Sequence, residues 1–265
     1  MLYLEGFNLY MIPQRMFAGV DSSTLIAIPG FVFAGVLMAR GGIAKNLIES
    51  VKAWIGHLPG GMALVTVVSC MVFAAISGSS PATAAAIGSI MIPGMIQAGY
   101  DKKYAMGLVA AAGTLGILIP PSITLILYGV VTEQSIGKLF MAGVIPGIFL
   151  GVLLMMTAIV YAKVKGYKSE TKATLQERLT ATKKAVWAYL LPVLILGVIY
   201  TGIATPTEAA VVSAFYAIFV SFFIYKNIGW KDIRLLMRDT VSTSAMIYVV
   251  ISAAMLFALY LTNEQ

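Results

Sequence analysis

From Met62 to Ala98 the sequence has no charged residue, yet its middle reads Ser77-Gly78-Ser79-Ser80-Pro81. Wound as one helix at about 1.5 Å per residue, this stretch would be far longer than the roughly 30 Å hydrocarbon core of a bilayer. Split at its polar centre, it gives two arms, each short for a full crossing. A break of this kind in lipid leaves N–H and C=O groups without partners, at a high desolvation cost. Such breaks persist where they are buried in protein or line a watery cavity. The stretch therefore predicts a helical hairpin, 61–98, that enters and leaves from the same side of a membrane.

A second uncharged stretch, 104–131, is interrupted as well, by Gly113-Thr114-Leu115-Gly116 and then by Pro120-Pro121-Ser122. The two glycines permit unwinding, and the two prolines stop one helix and restart another. Taken singly, the first interruption is also compatible with a plain turn and the second with a structural kink. Together they predict one site. The end of the first hairpin arm turns carbonyl oxygens toward the tip, and the second arm opens with Ser80 as N-cap and Pro81 in the first helical position. Its free N–H groups near Ala82 and Thr83 direct partial positive charge at the same spot. Ser79, Ser80, Pro81, Ala82 and Thr83, with Pro121 and Ser122, are the candidate contacts for an anionic substrate. Ser77, Gly78, Ser79, Gly113, Thr114 and Gly116 are the candidate metal ligands. Neither segment holds a carboxylate, and neutral oxygens of this kind suit a weakly bound monovalent cation such as Na⁺ rather than a proton or a divalent metal.

Composition settles the class. The chain is 60% hydrophobic and 11% charged, with a mean hydropathy of +0.91. A soluble enzyme, a disordered segment and a coiled coil are excluded, and the chain reads as an all-α, multi-pass membrane protein. Further spans fall at 24–39, 139–162, 185–202, 207–225 and 241–262. Gly143, Gly147 and Gly151 recur every four residues, a close-packing face. Residues 43–57 alternate apolar and charged faces, as a helix lying on the membrane surface would. The net charge of +7 is concentrated: Lys163, Lys165, Lys168, Lys172, Arg178, Lys183 and Lys184 face only Glu170 and Glu177 in a predicted basic loop, 164–184. By the positive-inside rule that loop is cytoplasmic, along with Arg40, Lys45, Lys52, Lys102, Lys103, Lys226, Lys231, Arg234 and Arg238. No basic face interleaved with aromatics is present to bind nucleic acid. A single cysteine, Cys70, precludes an internal disulfide, and a single histidine, His57, leaves no partner for a catalytic triad. Gly137-Lys138 lacks the surroundings of a phosphate-binding loop, which excludes an ATP-driven pump within the chain. Thr205-Pro206-Thr207-Glu208 reads as a helix-capping box.

Several motifs point to one family. Ser77-Gly78-Ser79-Ser80-Pro81-Ala82-Thr83, continuing to Gly88, resembles the hairpin of the large membrane subunit of tripartite ATP-independent periplasmic (TRAP) transporters. Ala39-Arg40-Gly41-Gly42, Ile92-Pro93-Gly94-Met95, Ala110 to Ser122, Ala142 to Gly147 and Thr205 to Ala209 agree with it. The resemblance implies an inverted-repeat, elevator-type secondary transporter of the bacterial inner membrane. It would import a small organic anion of the carboxylate class with Na⁺ as coupling ion and no other cofactor. A periplasmic binding protein would deliver substrate, and a small membrane subunit would be the partner. By the same likeness, 1–60 supplies a scaffold helix and an arm helix. Residues 61–163 form half of the moving domain (hairpin 61–98, broken helix 104–131, helix 139–162), and 185–265 form scaffold helices of the second repeat. The family's second half carries another hairpin and another broken helix, neither of which is found before Gln265. The expectation is thus a first repeat with the start of a second, as in a fragment or one piece of a split permease. The competing readings are a non-transporting scaffold piece and a Na⁺/divalent-anion symporter that needs no binding protein.

Overall fold

The computed structural model describes residues 10–167 and 169–263, and all regular structure among them is helical. Residues 1–9, Lys168 and residues 264–265, which belong to segments predicted above, lie outside the described residues. Helix α1 (Met11–Ala18) leads through a 3-10 turn (Ser23–Ile26) into α2 (Ala27–Arg40) and α3 (Ile43–Ile55). The hairpin follows as α4 (Gly61–Ser77) and α5 (Ser80–Gln97). Then come α6 (Lys102–Gly113), the single turn α7 (Leu115–Leu118) and α8 (Ile123–Val131). Four helices complete the chain: α9 (Ile136–Lys165), α10 (Leu175–Tyr200), α11 (Pro206–Phe219, ending in a π turn, Val220–Ile224) and α12 (Ile233–Asn263). Five helices among the described residues are long and apolar enough to cross a membrane. A sixth span results if α6–α7 and α8, bent by 41° at their break, are taken together.

The hairpin is antiparallel, as predicted. Thr66, near the start of α4, donates its hydroxyl to the sulfur of Met95 near the end of α5, at 3.3 Å. Nearly all of α4 is buried, enclosed by α3, α5, α6 and α9. The glycine stripe of α9 is what lets the broken helix come close. A Cβ on Gly143 would stand 2.5 Å from the Leu118 carbonyl oxygen, and one on Gly147 would stand 2.7 Å from Ile119. On the other side of the molecule α2 packs against α11 and α12, with Gly30 against Ala210.

Two expectations change. The apolar face of α3 (Ile43, Leu47, Ile48, Val51) is buried against α10 and α4 rather than laid on lipid. Trp54 and Thr182 explain part of this: the indole Nε1 donates to the Thr182 hydroxyl at 2.8 Å, tying the arm to α10. The predicted basic loop is also shorter than 164–184. Helix α9 runs to Lys165, and α10 begins at Leu175, so Arg178, Lys183 and Lys184 are helical. The cause is a capping box in which Thr174 N–H donates to Glu177 at 2.7 Å, and Glu177 N–H donates to the Thr174 hydroxyl at 3.3 Å. The box predicted at Thr205 and Glu208 is present, with the same geometry.

Gly116 is one of the close approaches between the broken helix and the hairpin. A Cβ there would lie 2.8 Å from both the Ser79 carbonyl carbon and the Ser80 nitrogen, which are backbone atoms that cannot swing aside. Gly116→Val should therefore lower stability by about 1–3 kcal/mol through overpacking. Thermal unfolding in detergent, with Gly107→Val as the control at a position open to space, measures it.

Candidate functional site

The tip of the hairpin is held together by its own hydroxyls. After Ser77 the chain passes through Gly78 at φ +61° and Ser79 in extended conformation before α5 starts. Ser79, not Ser80, is therefore the N-cap, because only its extended backbone lets the side chain fold over the first turn. Its hydroxyl accepts from Ala82 N–H in a long contact of 3.5 Å. Ser77 and Thr83, both buried, share a hydrogen bond of 2.9 Å, and the Thr83 hydroxyl also lies 2.9 Å from the Ser79 carbonyl. That carbonyl additionally accepts from Thr83 N–H at 3.0 Å.

The second break meets the first directly. Ile119 and Ser122 are extended, the Pro120–Pro121 peptide is cis, and α8 restarts at Ile123. Ile123 N–H donates to the Gly78 carbonyl at 3.0 Å, so one unwound segment satisfies the other. A Cβ on Gly78 would stand 2.6 Å from the Pro121 carbonyl oxygen. Ser122 is buried and donates its hydroxyl to the Ile117 carbonyl at 2.6 Å, closing the unwound stretch on itself.

Sequence reasoning placed unwinding at Gly113 to Gly116; the α-helix is interrupted there by a single turn residue, Thr114, between α6 and α7. Gly113 ends α6, Thr114 keeps a right-handed helical backbone, and the extended residues come only at Ile119 and Ser122. The glycines serve proximity instead: Gly113 lies against Ala84, and Gly116 against Ser79 and Ser80. The Thr114 side chain is exposed and gives its hydroxyl to the Ala111 carbonyl of its own helix at 2.7 Å.

A cavity of about 910 Å³ opens beside the tip. Gly78, Ser79, Ser80, Pro81 and Ala82 line it from the hairpin, Ile117 and Ile123 from the broken helix, and Gly35 and Val36 from α2. Thr83, Ser77 and Ser122 stand behind this wall, where they fix its shape. The cavity is mostly apolar, with a few polar groups converging at one end, a common character of small-molecule sites. Sequence reading missed its fourth wall: α12 contributes Asp239, Ser242 and Thr243, and Arg40 of α2 faces Asp239 in an ion pair. Arg40 and Asp239 are the charged residues of the lining. The signal for α12 was faint, a short polar run after Asp239 in an otherwise apolar helix. No group of three or more His, Cys, Asp or Glu side chains able to hold a metal occurs among the described residues.

The sequence matches, over residues 1–265, the family described as tripartite ATP-independent periplasmic transporter, DctM component. A C4-dicarboxylate TRAP transporter large permease protein of Pseudomonas aeruginosa is 46% identical, across 95% of this chain and 59% of the relative. An isethionate TRAP transporter permease protein of Oleidesulfovibrio alaskensis is 44% identical, across 96% of this chain and 40% of the relative. An ectoine TRAP transporter large permease protein of Halomonas elongata is 38% identical, with 95% and 59% covered. The chain thus spans roughly two-fifths to three-fifths of these relatives' length.

Removing the Thr83 hydroxyl tests the internal bracing of the tip. Thr83→Val keeps the shape and leaves buried Ser77 with only its long, 3.4 Å contacts to Ser79, so stability should fall by about 1 kcal/mol. Thr83→Ser, which keeps the hydroxyl, should fall by less, with both variants compared in the same thermal unfolding assay.

Proposed function

We propose that this chain, which belongs to the DctM family of tripartite ATP-independent periplasmic transporters, forms the part of a large permease that takes a small organic anion across the inner membrane together with Na⁺. The observation that carries this reading is the meeting of two helix breaks at one wall of a 910 Å³ cavity. Helix breaks at membrane depth are costly, and transporters place them where a substrate and its coupling ion bind.

Chemistry divides the tip between the two ligands. The N-terminus of α5 supplies partial positive charge, with the Ser79 and Ser80 hydroxyls beside it, and the Ala82 N–H is bound only by its 3.5 Å contact. A carboxylate of the substrate docks there. The Gly78 carbonyl spends one lone pair on Ile123 and keeps a second, and the Ser77 hydroxyl lies directly behind it. These oxygens, with backbone from the Gly113 to Gly116 stretch, suit Na⁺. Thr114 contributes through its backbone, since its hydroxyl is turned onto Ala111.

The level of the tip fits an elevator motion. A Cβ on Gly35 would touch Ser77 at 3.0 Å, and Gly35 lies five residues, about 7.5 Å, from the charged end of α2 at Arg40. In the elevator reading this contact, between Gly35 of the scaffold and Ser77 of the moving domain (61–163), is one that would slide. Delivery of substrate by a periplasmic binding protein and assembly with a small membrane subunit complete the reading.

Uptake of labelled succinate into proteoliposomes holding the assembled permease, with the binding protein outside, tests it. Uptake should require both the binding protein and an inward Na⁺ gradient. Ser77→Ala should raise the Na⁺ concentration for half-maximal uptake by about tenfold, equivalent to 1.4 kcal/mol. Thr114→Ala should change it by no more than about twofold. Equal uptake in KCl would sink the coupling proposed here.

A further inference from the structure

The ion pair between Arg40 and Asp239 bridges two walls of the cavity, α2 and α12, and nothing in the anion-binding reading accounts for Asp239. An acidic side chain on the path of an anion repels it unless the charge is held by a partner. Arg40 is that partner. The two sit on different helices: Arg40 is the last residue of α2, and Asp239 lies in the second turn of α12. They are the charged members of a lining otherwise made of small, apolar and hydroxyl side chains. The backbone just past Arg40 is fixed, since Asn227 donates its side-chain amide to the Gly41 carbonyl at 3.1 Å. The Arg40 guanidinium thus hangs from an anchored backbone, with a side chain that is itself part-exposed.

We propose that the Arg40–Asp239 pair is an exchangeable latch across the charged end of the cavity, in which an arriving carboxylate takes the Arg40 guanidinium from Asp239 and so frees α12 from α2. The proposal rests on reading the cavity as the anion's route. The Asp239 side chain occupies the guanidinium in the manner of a substrate carboxylate, since the N–H groups of arginine can donate to either. Both side chains are part-exposed, at 44% and 34%, so the pair is a weak, solvent-screened one that a competing anion can open. When the anion leaves Arg40, Asp239 returns, and its charge opposes rebinding from the same side.

Accessibility of the cavity reads the latch directly. Cys70 is buried, so a cysteine introduced as Ala85→Cys, at a lining position outside the tip's binding groups, becomes the reporter for a membrane-impermeant maleimide. The assay uses the assembled transporter in inside-out vesicles, with the reagent reaching the Arg40 side. Asp239→Asn should speed labelling by about fivefold, the upper worth of a part-exposed pair. Sodium succinate should speed it in the protein with the pair intact, relative to sodium chloride of the same ionic strength. Arg40→Gln should label fast in both salts, and Asp239→Glu should stay slow, which shows that the variants keep the fold. Unchanged labelling in Asp239→Asn overturns the latch. Fast labelling in Asp239→Asn with no response of the intact pair to succinate overturns the exchange and leaves a structural clamp. Loss of Na⁺-driven uptake alongside a succinate response would refute the coupled-transport reading and leave the latch standing.

Discussion

A single backbone hydrogen bond, from Ile123 N–H to the Gly78 carbonyl, joins the unwound tip of the hairpin to the unwound segment before α8. Each unwound segment by itself would leave polar backbone groups unpaired at membrane depth. Joined, each supplies what the other lacks, and the remaining demand is met by side-chain hydroxyls. Thr83 braces Ser77 and Ser79 on the hairpin side, and Ser122 braces Ile117 on the other. The broken elements are therefore one object, built of backbone and short hydroxyl side chains. The cavity inherits its shape from that object.

The close approach that this bond requires is set by glycine. Gly116 against the Ser79–Ser80 backbone and Gly78 against Pro121 leave no room for a side chain on either partner. Behind them, the stripe on α9 receives Leu118 and Ile119. In lipid, where apolar side chains gain little by leaving their surroundings, van der Waals contact of this density is what drives helices together. The packing thus serves two ends: it stabilises the bundle, and it presses the two unwound segments into hydrogen-bonding distance.

Much of this was legible beforehand. Unbroken apolar runs mark the spans, and the hairpin follows from a polar interruption inside a charge-free stretch. The glycine stripe of α9 and the capping box at Thr205 were read from spacing alone. What escaped was the role of particular atoms. Glycines in the 113–116 stretch suggested unwinding because local sequence does not reveal that a neighbouring backbone needs the space. The Thr114 hydroxyl donates back to its own helix at Ala111, a direction that spacing alone does not give. Ser79 displaced Ser80 as cap because the backbone turn at Gly78 came one residue earlier than the proline suggested. The Arg40–Asp239 pair joins residues 199 apart in the chain, and neither bears a local mark of the other. The basic loop shrank because the capping box at Thr174 went unnoticed among lysines.

Helix α9 has 30 residues, about 45 Å of rise, while the hydrocarbon core it crosses is roughly 30 Å thick. Stood upright with its outer end at the far interface, it projects about 15 Å into water on the charged side. The hairpin is rooted on that projecting end, where Gly60 packs against Ala162. An arm of 17 residues rises only about 26 Å, so a hairpin starting outside the core must end inside it. In the proposed re-entrant arrangement depth is a matter of mooring: the length of one helix decides how deep another, attached to its foot, would reach.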